Sequence, residues 1–157
     1  MKIIVSVIIV IGVIILGVFL LKSSKGNTPG VNNNSSSQNS MQKINAGVTA
    51  EIIKEGTGDR AVKEGDTISV NYTGLLENGT VFDSNVDPKF NHVESFQLTV
   101  GVTRVIEGWH LGLIGMKVGE KRKLTIAAQY AYGETSPSPL IPANSTLIFE
   151  VELLEIK

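Results

Sequence analysis

The chain contains no cysteine. No disulfide framework can therefore hold the fold together, and no thiolate is available as a metal ligand. Histidine occurs only twice, at His92 and His110, and no pair of carboxylates stands at metal-ligand spacing. We therefore expect no bound metal ion and no cofactor.

An excess of charge of one sign is also missing. Lysine and arginine number 14 against 15 aspartates and glutamates, the formal net charge is −1, and no basic stripe is present. This balance argues against nucleic acid as a partner. The motifs of covalent and nucleotide chemistry are absent too, since there is no G-x-S-x-G elbow, no G-x-G-x-x-G loop and no pair of catalytic carboxylates.

The N-terminal residues form a long apolar run. Residues 3–21 carry no charge, with Lys2 before them and Lys22 after them. At about 1.5 Å per helical residue the run would extend roughly 29 Å, close to the hydrocarbon thickness of a bilayer. A cleaved signal peptide has a shorter apolar region, about 7–15 residues, and small residues at its cleavage site. The run therefore favours an N-terminal transmembrane helix over residues 1–22, with a cleaved signal segment as the alternative.

The remainder of the chain divides into a tether and a domain. Residues 23–45 are rich in Ser, Asn and Gly and cannot bury enough surface to offset their ordering entropy, so they are predicted to be a flexible linker. Residues 46–157 have the length of one ordinary domain. Because N-terminal apolar segments most often serve export, we expect this domain to be extracytoplasmic, either anchored to the membrane or, after cleavage, secreted.

Four segments of the domain alternate apolar and polar residues, which indicates half-buried strands. Their inward-facing positions are Ile68, Val70 and Tyr72; Phe96, Leu98 and Val100; Arg122, Leu124 and Ile126; and Leu147, Phe149, Val151 and Leu153. An Asn-Gly turn at residues 77–80, whose two central residues tolerate positive φ, predicts a hairpin between residues 67–77 and 80–83.

One segment has helical spacing instead. Val105, Ile106, Trp109 and Leu113 form a single apolar stripe, and Gly115 suits the position just past the end of a short helix. The domain is therefore predicted to be of the α+β class, with an antiparallel β-sheet wrapped around one short α-helix. With so little helix to cover the sheet, Trp109 must lie against the concave face.

Trp109 and Asp83 each have two interpretations. A lone tryptophan in a small domain is usually a core residue, but Trp109 also suits the floor of a binding site. Asp83 either caps a turn in the stretch DSNVD or belongs to a site, because it stands alone among aromatic positions. Those positions are Tyr72, Phe82, Phe96, Trp109, Tyr130, Tyr132 and Phe149.

Taken in order, these residues resemble the FKBP-type peptidyl-prolyl isomerases, the macrolide-binding family. The resemblance is carried by VNYTGLLENGTVFDS, FQLTVG, VIEGWHLGLIGMKVGEKRKLTI, YAYG, LIP and STLIFEVELL, which span essentially the whole domain. It implies a bent antiparallel sheet around one short helix, with a pocket between them. Proline-containing polypeptides are the implied substrates and macrolides the implied inhibitors.

The same resemblance assigns the site residues. Trp109 matches the pocket floor, Asp83 matches a carboxylate at the rim, and the backbone N–H of Ile106 matches the donor to a bound carbonyl. The predicted catalytic residues are Asp83, Tyr132, Ile106 and Phe82, and the predicted substrate-binding residues are Tyr72, Phe96, Val105, Trp109, Ile141 and Phe149.

Two stretches depart from the family's pattern. NVDPKFNHVES, between Asp83 and Phe96, is longer than in compact members. No arginine lies near Asp83 in sequence to orient it, so Lys89 is the candidate substitute. The loop after YAYG carries three prolines, at residues 137, 139 and 142, which stiffen it and are expected to narrow the substrate range.

The predicted function is isomerisation of Xaa–Pro bonds in polypeptides, without covalent catalysis, to assist the folding of exported or membrane-proximal proteins. The alternative is a non-catalytic, membrane-tethered module that holds proline-containing segments as a chaperone or adaptor. A carrier of lipids or small ligands would need a closed barrel, for which too few strands are predicted.

Overall fold

The computed structural model describes residues 41–157. The predicted transmembrane helix of residues 1–22 and the predicted tether up to residue 40 lie outside these residues. Within residues 41–157, no helix combines the length and the apolar composition needed to cross a bilayer.

Seven β-strands and one α-helix make up this described part of the chain. The strands are β1 (Met41–Lys43), β2 (Val48–Lys54), β3 (Thr67–Leu76), β4 (Val81–Ser84), β5 (Phe96–Thr99), β6 (Lys121–Ile126) and β7 (Leu147–Ile156). The helix, α1, spans Glu107–Leu113, and short 3-10 helices lie at Pro88–Phe90 and Ala128–Tyr130.

The strands form one antiparallel sheet in the order β1-β2-β6-β7-β3-β4. Strand β3 pairs with β7 along one edge, and its other edge is shared by β5 at its beginning and β4 near its end. The connection between β4 and β5 therefore leaves the sheet and returns to the same edge of β3. The predicted antiparallel sheet with one short helix, in the α+β class, is confirmed.

The predicted strand faces are also confirmed. Every second residue of β6 is buried, from Arg122 to Ile126, and every second residue of β7 from Leu147 to Leu153. Because side chains of a strand alternate between faces, this single buried face forms the core against α1.

Two strands were not predicted. Strand β2 pairs with β6, and β1 pairs with β2. Met41–Lys43 lies inside the range predicted as flexible linker, so the predicted end of that linker at residue 45 is too late. All three residues of β1 are exposed, and the strand pairs with β2 through its backbone. The amino-acid composition of the segment therefore gives no signal that predicts a strand.

The predicted β3–β4 hairpin is present, but its turn differs from the prediction. Only Gly79 has a positive φ, of 83°, whereas Asn78 does not. Asn78 instead accepts a hydrogen bond from the N–H of Thr80 through its Oδ1, at 2.9 Å. Gly74 pairs with Asp83 and Leu75 with Val81, so Phe82 is the extra residue of a β-bulge.

Two glycines let α1 approach the sheet closely. A Cβ on Gly108 would overlap the side chain of Ile126, and one on Gly112 would lie 2.7 Å from Leu124. Gly115 follows the helix with a φ of 83°, which confirms its predicted position past the helix end. This close packing of α1 on the sheet places Trp109 in the core.

A buried ion pair fixes the C-terminal end of α1. The Nε of Arg122 donates to Glu120 at 2.7 Å, and both side chains are almost fully buried. Its Nη1 donates to the carbonyl oxygens of Gly112 at 2.7 Å and Ile114 at 3.2 Å. The guanidinium therefore satisfies carbonyls that the end of a helix leaves without partners.

Candidate active site

A cavity of about 170 Å³ opens between α1 and the sheet. A cavity of about 150 Å³ is enough to hold a benzene molecule, so this one has room for a prolyl ring. It is lined by Tyr72, Phe82, Asp83, Phe96, Arg104, Val105, Ile106, Trp109, Tyr132 and Phe149.

Trp109 is both a core residue and the floor of this cavity. Only 4% of it is exposed, and its indole meets three rings edge-to-face, with centroids at 5.2 Å (Tyr72), 5.8 Å (Phe96) and 5.3 Å (Phe149). Edge-to-face packing is the favoured arrangement of aromatic pairs. Four interlocked rings therefore make a rigid apolar surface on which a ligand ring can rest.

The bulge in β4 brings two neighbouring residues to the same cavity. Consecutive side chains of a regular strand point to opposite faces, yet Phe82 and Asp83 both line the cavity. Gly74, on the adjacent strand, makes room for the ring of Phe82, because a Cβ there would come within 2.6 Å of it. The bulge thus places an apolar wall and a carboxylate side by side.

Two side chains orient the Asp83 carboxylate. The phenol of Tyr72 donates to its Oδ2 at 2.7 Å, and Nε2 of His92 lies 2.8 Å from its Oδ1. Asp83 caps no turn. The expectation that Lys89 substitutes for an orienting arginine is wrong, because Lys89 pairs with Asp87 at 3.1 Å and lies over the ring of Phe90.

The environment keeps both cavity phenols protonated. Burial raises the pKa of Tyr72, and its hydrogen bond to Asp83 raises that pKa further. Burial also raises the pKa of Tyr132, with a smaller contribution from the charge of Asp83. Both hydroxyls are therefore hydrogen-bond donors throughout the physiological pH range.

Among the described residues, the donors at the cavity that have no partner include the buried Nε1 of Trp109, the Tyr132 hydroxyl and the backbone N–H of Ile106. The hydroxyl of Tyr132 makes no hydrogen bond there, and 41% of this residue is exposed. The backbone N–H of Ile106 makes none either, because Ile106 is the residue that caps the N-terminus of α1. Tyr72 differs, since its hydroxyl is committed to Asp83.

The structure brings nine of the ten predicted site residues to one cavity. The exception is Ile141, which is 6% exposed and lies in the hydrophobic core without lining the cavity. The resemblance implied a substrate-binding role for Ile141, whereas in the structure this residue belongs to the core cluster.

Sequence reasoning missed Arg104 and His92. Arg104 precedes the apolar stripe of α1 and lines the cavity, and its position next to Val105 was the available signal. His92 lies nine residues after Asp83 in an irregular loop. No periodic pattern could have paired these two residues.

Comparison with known proteins agrees with this geometry. Residues 58–154 match the model of the FKBP-type peptidyl-prolyl cis-trans isomerase family. The chain is 50% identical over 111 residues to FK506-binding protein 1A of Neurospora crassa. The aligned residues make up 71% of this chain and 89% of that protein. The chain belongs to the FKBP family.

Other FKBP relatives come from distant organisms. The FK506-binding protein of Neisseria meningitidis is 49% identical over 110 residues, 70% of this chain and 96% of that protein. FK506-binding protein 1 of Saccharomyces cerevisiae is 46% identical over 113 residues, 72% of this chain and 96% of that protein. The resemblance noted in the sequence is confirmed, and this FKBP domain is a peptidyl-prolyl cis-trans isomerase.

Proposed function

We propose that the FKBP domain isomerises Xaa–Pro bonds by seating the prolyl ring on Trp109 and twisting its amide in a water-poor cavity, with no covalent intermediate. The observation that carries this proposal is a rigid aromatic floor with two uncommitted donors at its edge, the Tyr132 hydroxyl and the Ile106 N–H. The domain offers a binding surface and hydrogen bonds, which is what rotation about an amide requires.

The lowering of the activation barrier that this reaction needs is small enough for a binding surface and a few hydrogen bonds to supply. Rotation about an Xaa–Pro bond meets a barrier of about 20 kcal/mol and takes tens of seconds unaided. An acceleration of about 10⁴ needs only roughly 5.5 kcal/mol. The planar amide is polar through resonance, whereas the twisted transition state has lost part of that charge separation. An apolar cavity therefore disfavours the planar form more than the twisted one.

Each polar group has a proposed role. The N–H of Ile106 binds a substrate carbonyl, and the Tyr132 hydroxyl donates a second hydrogen bond to the twisting peptide. Asp83, held by Tyr72, interacts with the dipoles of the twisted amide at the edge of the cavity. Phe82 excludes water from the reacting bond.

Exchange NMR on a blocked Leu-Pro peptide tests these roles. The full chain should accelerate cis–trans exchange, and Asp83→Val should slow the catalysed rate at least tenfold. Equal rates for the two proteins would remove Asp83 from the mechanism. Peptide binding without any acceleration would favour the non-catalytic peptide-binding module instead.

The same cavity is proposed to bind the macrolide FK506. Three relatives of 46–50% identity are named for binding it, and the cavity has an aromatic floor, polar groups at its edge and an opening to solvent. Calorimetry should show one macrolide per chain, with at least tenfold weaker binding to Phe82→Ala. Unchanged binding to that variant would place the macrolide elsewhere.

The location and biological role are proposed from the N-terminal sequence. Residues 3–21 are uncharged and long enough to anchor the chain, so the isomerase would act outside the cytoplasm on exported or membrane-proximal proteins. Protease treatment of intact cells should then degrade the domain, and mass spectrometry should find the N-terminus intact. A protected domain would contradict the orientation, and a mature chain starting after the apolar run would favour secretion.

A further inference from the structure

The loop between β4 and β5 is built to present His92 to Asp83. Asn85, which is 2% exposed, closes this loop at its base, because its Nδ2 donates to the carbonyl oxygens of Val70 at 3.1 Å and Glu94 at 2.9 Å. Its Oδ1 accepts from the N–H of Tyr72 at 2.6 Å. One buried amide thus joins the loop to the strand that carries the other partner of Asp83.

The tip of the loop is equally well defined. Asp87 caps the 3-10 helix Pro88–Phe90 by accepting from the N–H of Lys89 at 3.1 Å. Asn91 ends that helix with a left-handed φ of 60°, and its N–H donates to the carbonyl of Pro88 at 3.1 Å. The reversal at Asn91 turns the next residue, His92, back toward β4, where its Nε2 meets Asp83 at 2.8 Å.

We propose that His92 is a positioning residue for the isomerase reaction, and that its protonation strengthens the hold on Asp83 and raises the catalysed rate. This inference rests on the proposed role of Asp83. With His92 protonated, both carboxylate oxygens accept from fixed donors, Tyr72 on Oδ2 and the imidazolium on Oδ1. A neutral imidazole donates a weaker bond, or presents a lone pair to the carboxylate in its other tautomer.

The other charged and titratable groups near the His92–Asp83 pair come from several elements of the fold. Tyr72 on β3 and Tyr132 after the second 3-10 helix both have raised pKa values. Arg104, from the segment before α1, is a permanent cation. On the loop itself, Lys89 is paired with Asp87. An unperturbed imidazole titrates within about pH 5–8, whereas these side chains do not.

Exposure sets the size of the expected effect. The side chains of His92 and Asp83 are 46% and 38% exposed, so water and salt screen the pair. A difference of about two- to fivefold in rate is expected between the protonated and neutral forms, from the strength of exposed ion pairs.

The test is the pH profile of exchange for acetyl-Ala-Leu-Pro-Phe-amide, which has no titrating group, catalysed by the full chain between about pH 5.5 and 8.5. We expect kcat/KM to fall by the stated factor as pH rises, with the midpoint at which the His92 ring protons titrate in the NMR spectrum. The ring signals that disappear in the His92→Gln variant are those of His92, which separates them from the signals of His110, the other histidine. In His92→Gln, kcat/KM should be low and independent of pH. In His92→Arg, kcat/KM should also be independent of pH, but equal to the value that the wild type reaches at low pH.

Two control variants isolate the pair. Lys89→Gln removes a cation from the same loop, and His110→Asn removes the other imidazole while keeping an acceptor for the N–H of Gly101. Both should retain the pH step. The proposal is overturned by a flat wild-type profile, by a step that persists in His92→Gln, or by a midpoint that differs from the titration of His92.

The outcomes also separate this proposal from the proposed function. An active wild type with a flat profile, whose rate Asp83→Val still reduces, overturns the role of His92 alone. A wild type with no acceleration at any pH overturns both.

Discussion

Tyr72 and Asp83 are joined across the β3–β4 hairpin by a hydrogen bond of 2.7 Å between the phenol and the carboxylate. The phenol ring also packs edge-to-face on Trp109, with centroids 5.2 Å apart. Tyr72 therefore connects the apolar floor of the cavity to the charged group at its edge, and a change at its hydroxyl separates these two functions.

Tyr72→Phe should preserve the aromatic floor of the cavity and remove the hydrogen bond that orients the Asp83 carboxylate. The ring contacts remain, but Asp83 loses one of the two side chains that orient it, so the catalysed exchange rate should fall by about three- to tenfold with binding of peptide little changed. Stability should fall by about 1 kcal/mol, as for the loss of one partly buried hydrogen bond. A variant with wild-type kcat would show that Asp83 needs no such support.

The same tyrosine predicts a loss of stability at high pH. Its pKa is raised in the folded state, so the folded chain keeps a proton that the unfolded chain releases near pH 10. This stabilisation is complete below about pH 10 and is lost as the pH rises further toward the folded-state pKa. Urea denaturation between about pH 8 and 11 should show a smaller decline for Tyr72→Phe than for the wild type, and equal declines would contradict the assignment.

Gly108→Ala should destabilise the domain through the helix–sheet contact. The new methyl group would overlap Ile126, and overpacking of a core typically costs about 1–3 kcal/mol. The double variant Gly108→Ala/Ile126→Ala should be more stable than the sum of the two single effects, because the second change removes the atoms in the way. If the two losses of stability were strictly additive, the helix α1 would be moving away from the sheet to accommodate the new methyl group, and the overlap with Ile126 would not be the cause of the destabilisation.

Glu120→Ala should cost far more than Glu150→Ala. Glu120 forms a buried ion pair with Arg122 at 2.7 Å, whereas Glu150 forms an exposed one with Lys121 at 3.4 Å. Removing one partner of a buried pair typically costs about 3–5 kcal/mol, and an exposed pair contributes about 0–1 kcal/mol. Unfolding followed through Trp109, the only tryptophan, measures both, and similar losses would contradict the role of Arg122 at the end of α1.

Much of the fold could be predicted from local patterns. Alternation identified the buried faces of β6 and β7, and the spacing around Trp109 identified α1. These predictions succeed because side-chain periodicity is a local property of the backbone. The short helix predicted only that Trp109 lies against the concave face of the sheet, and the pocket between helix and sheet was implied by the resemblance to the FKBP family.

The parts that escaped prediction depend on irregular backbone. The bulge at Phe82 turns neighbouring residues toward one cavity, which alternation forbids. His92 reaches Asp83 only because Asn85 closes the loop and Asn91 reverses it. Strand β1 is exposed and pairs with β2 through its backbone, and Ile141 lies in the core for reasons of tertiary packing.

The account depends most on isomerisation taking place in the cavity above Trp109. The decisive measurement is a titration of the full chain with FK506, in which the peptide exchange rate and the Trp109 fluorescence are recorded on the same samples. The account predicts that the fluorescence change and the loss of acceleration reach completion together, at one macrolide per chain. Acceleration that persists after the fluorescence has saturated would contradict it.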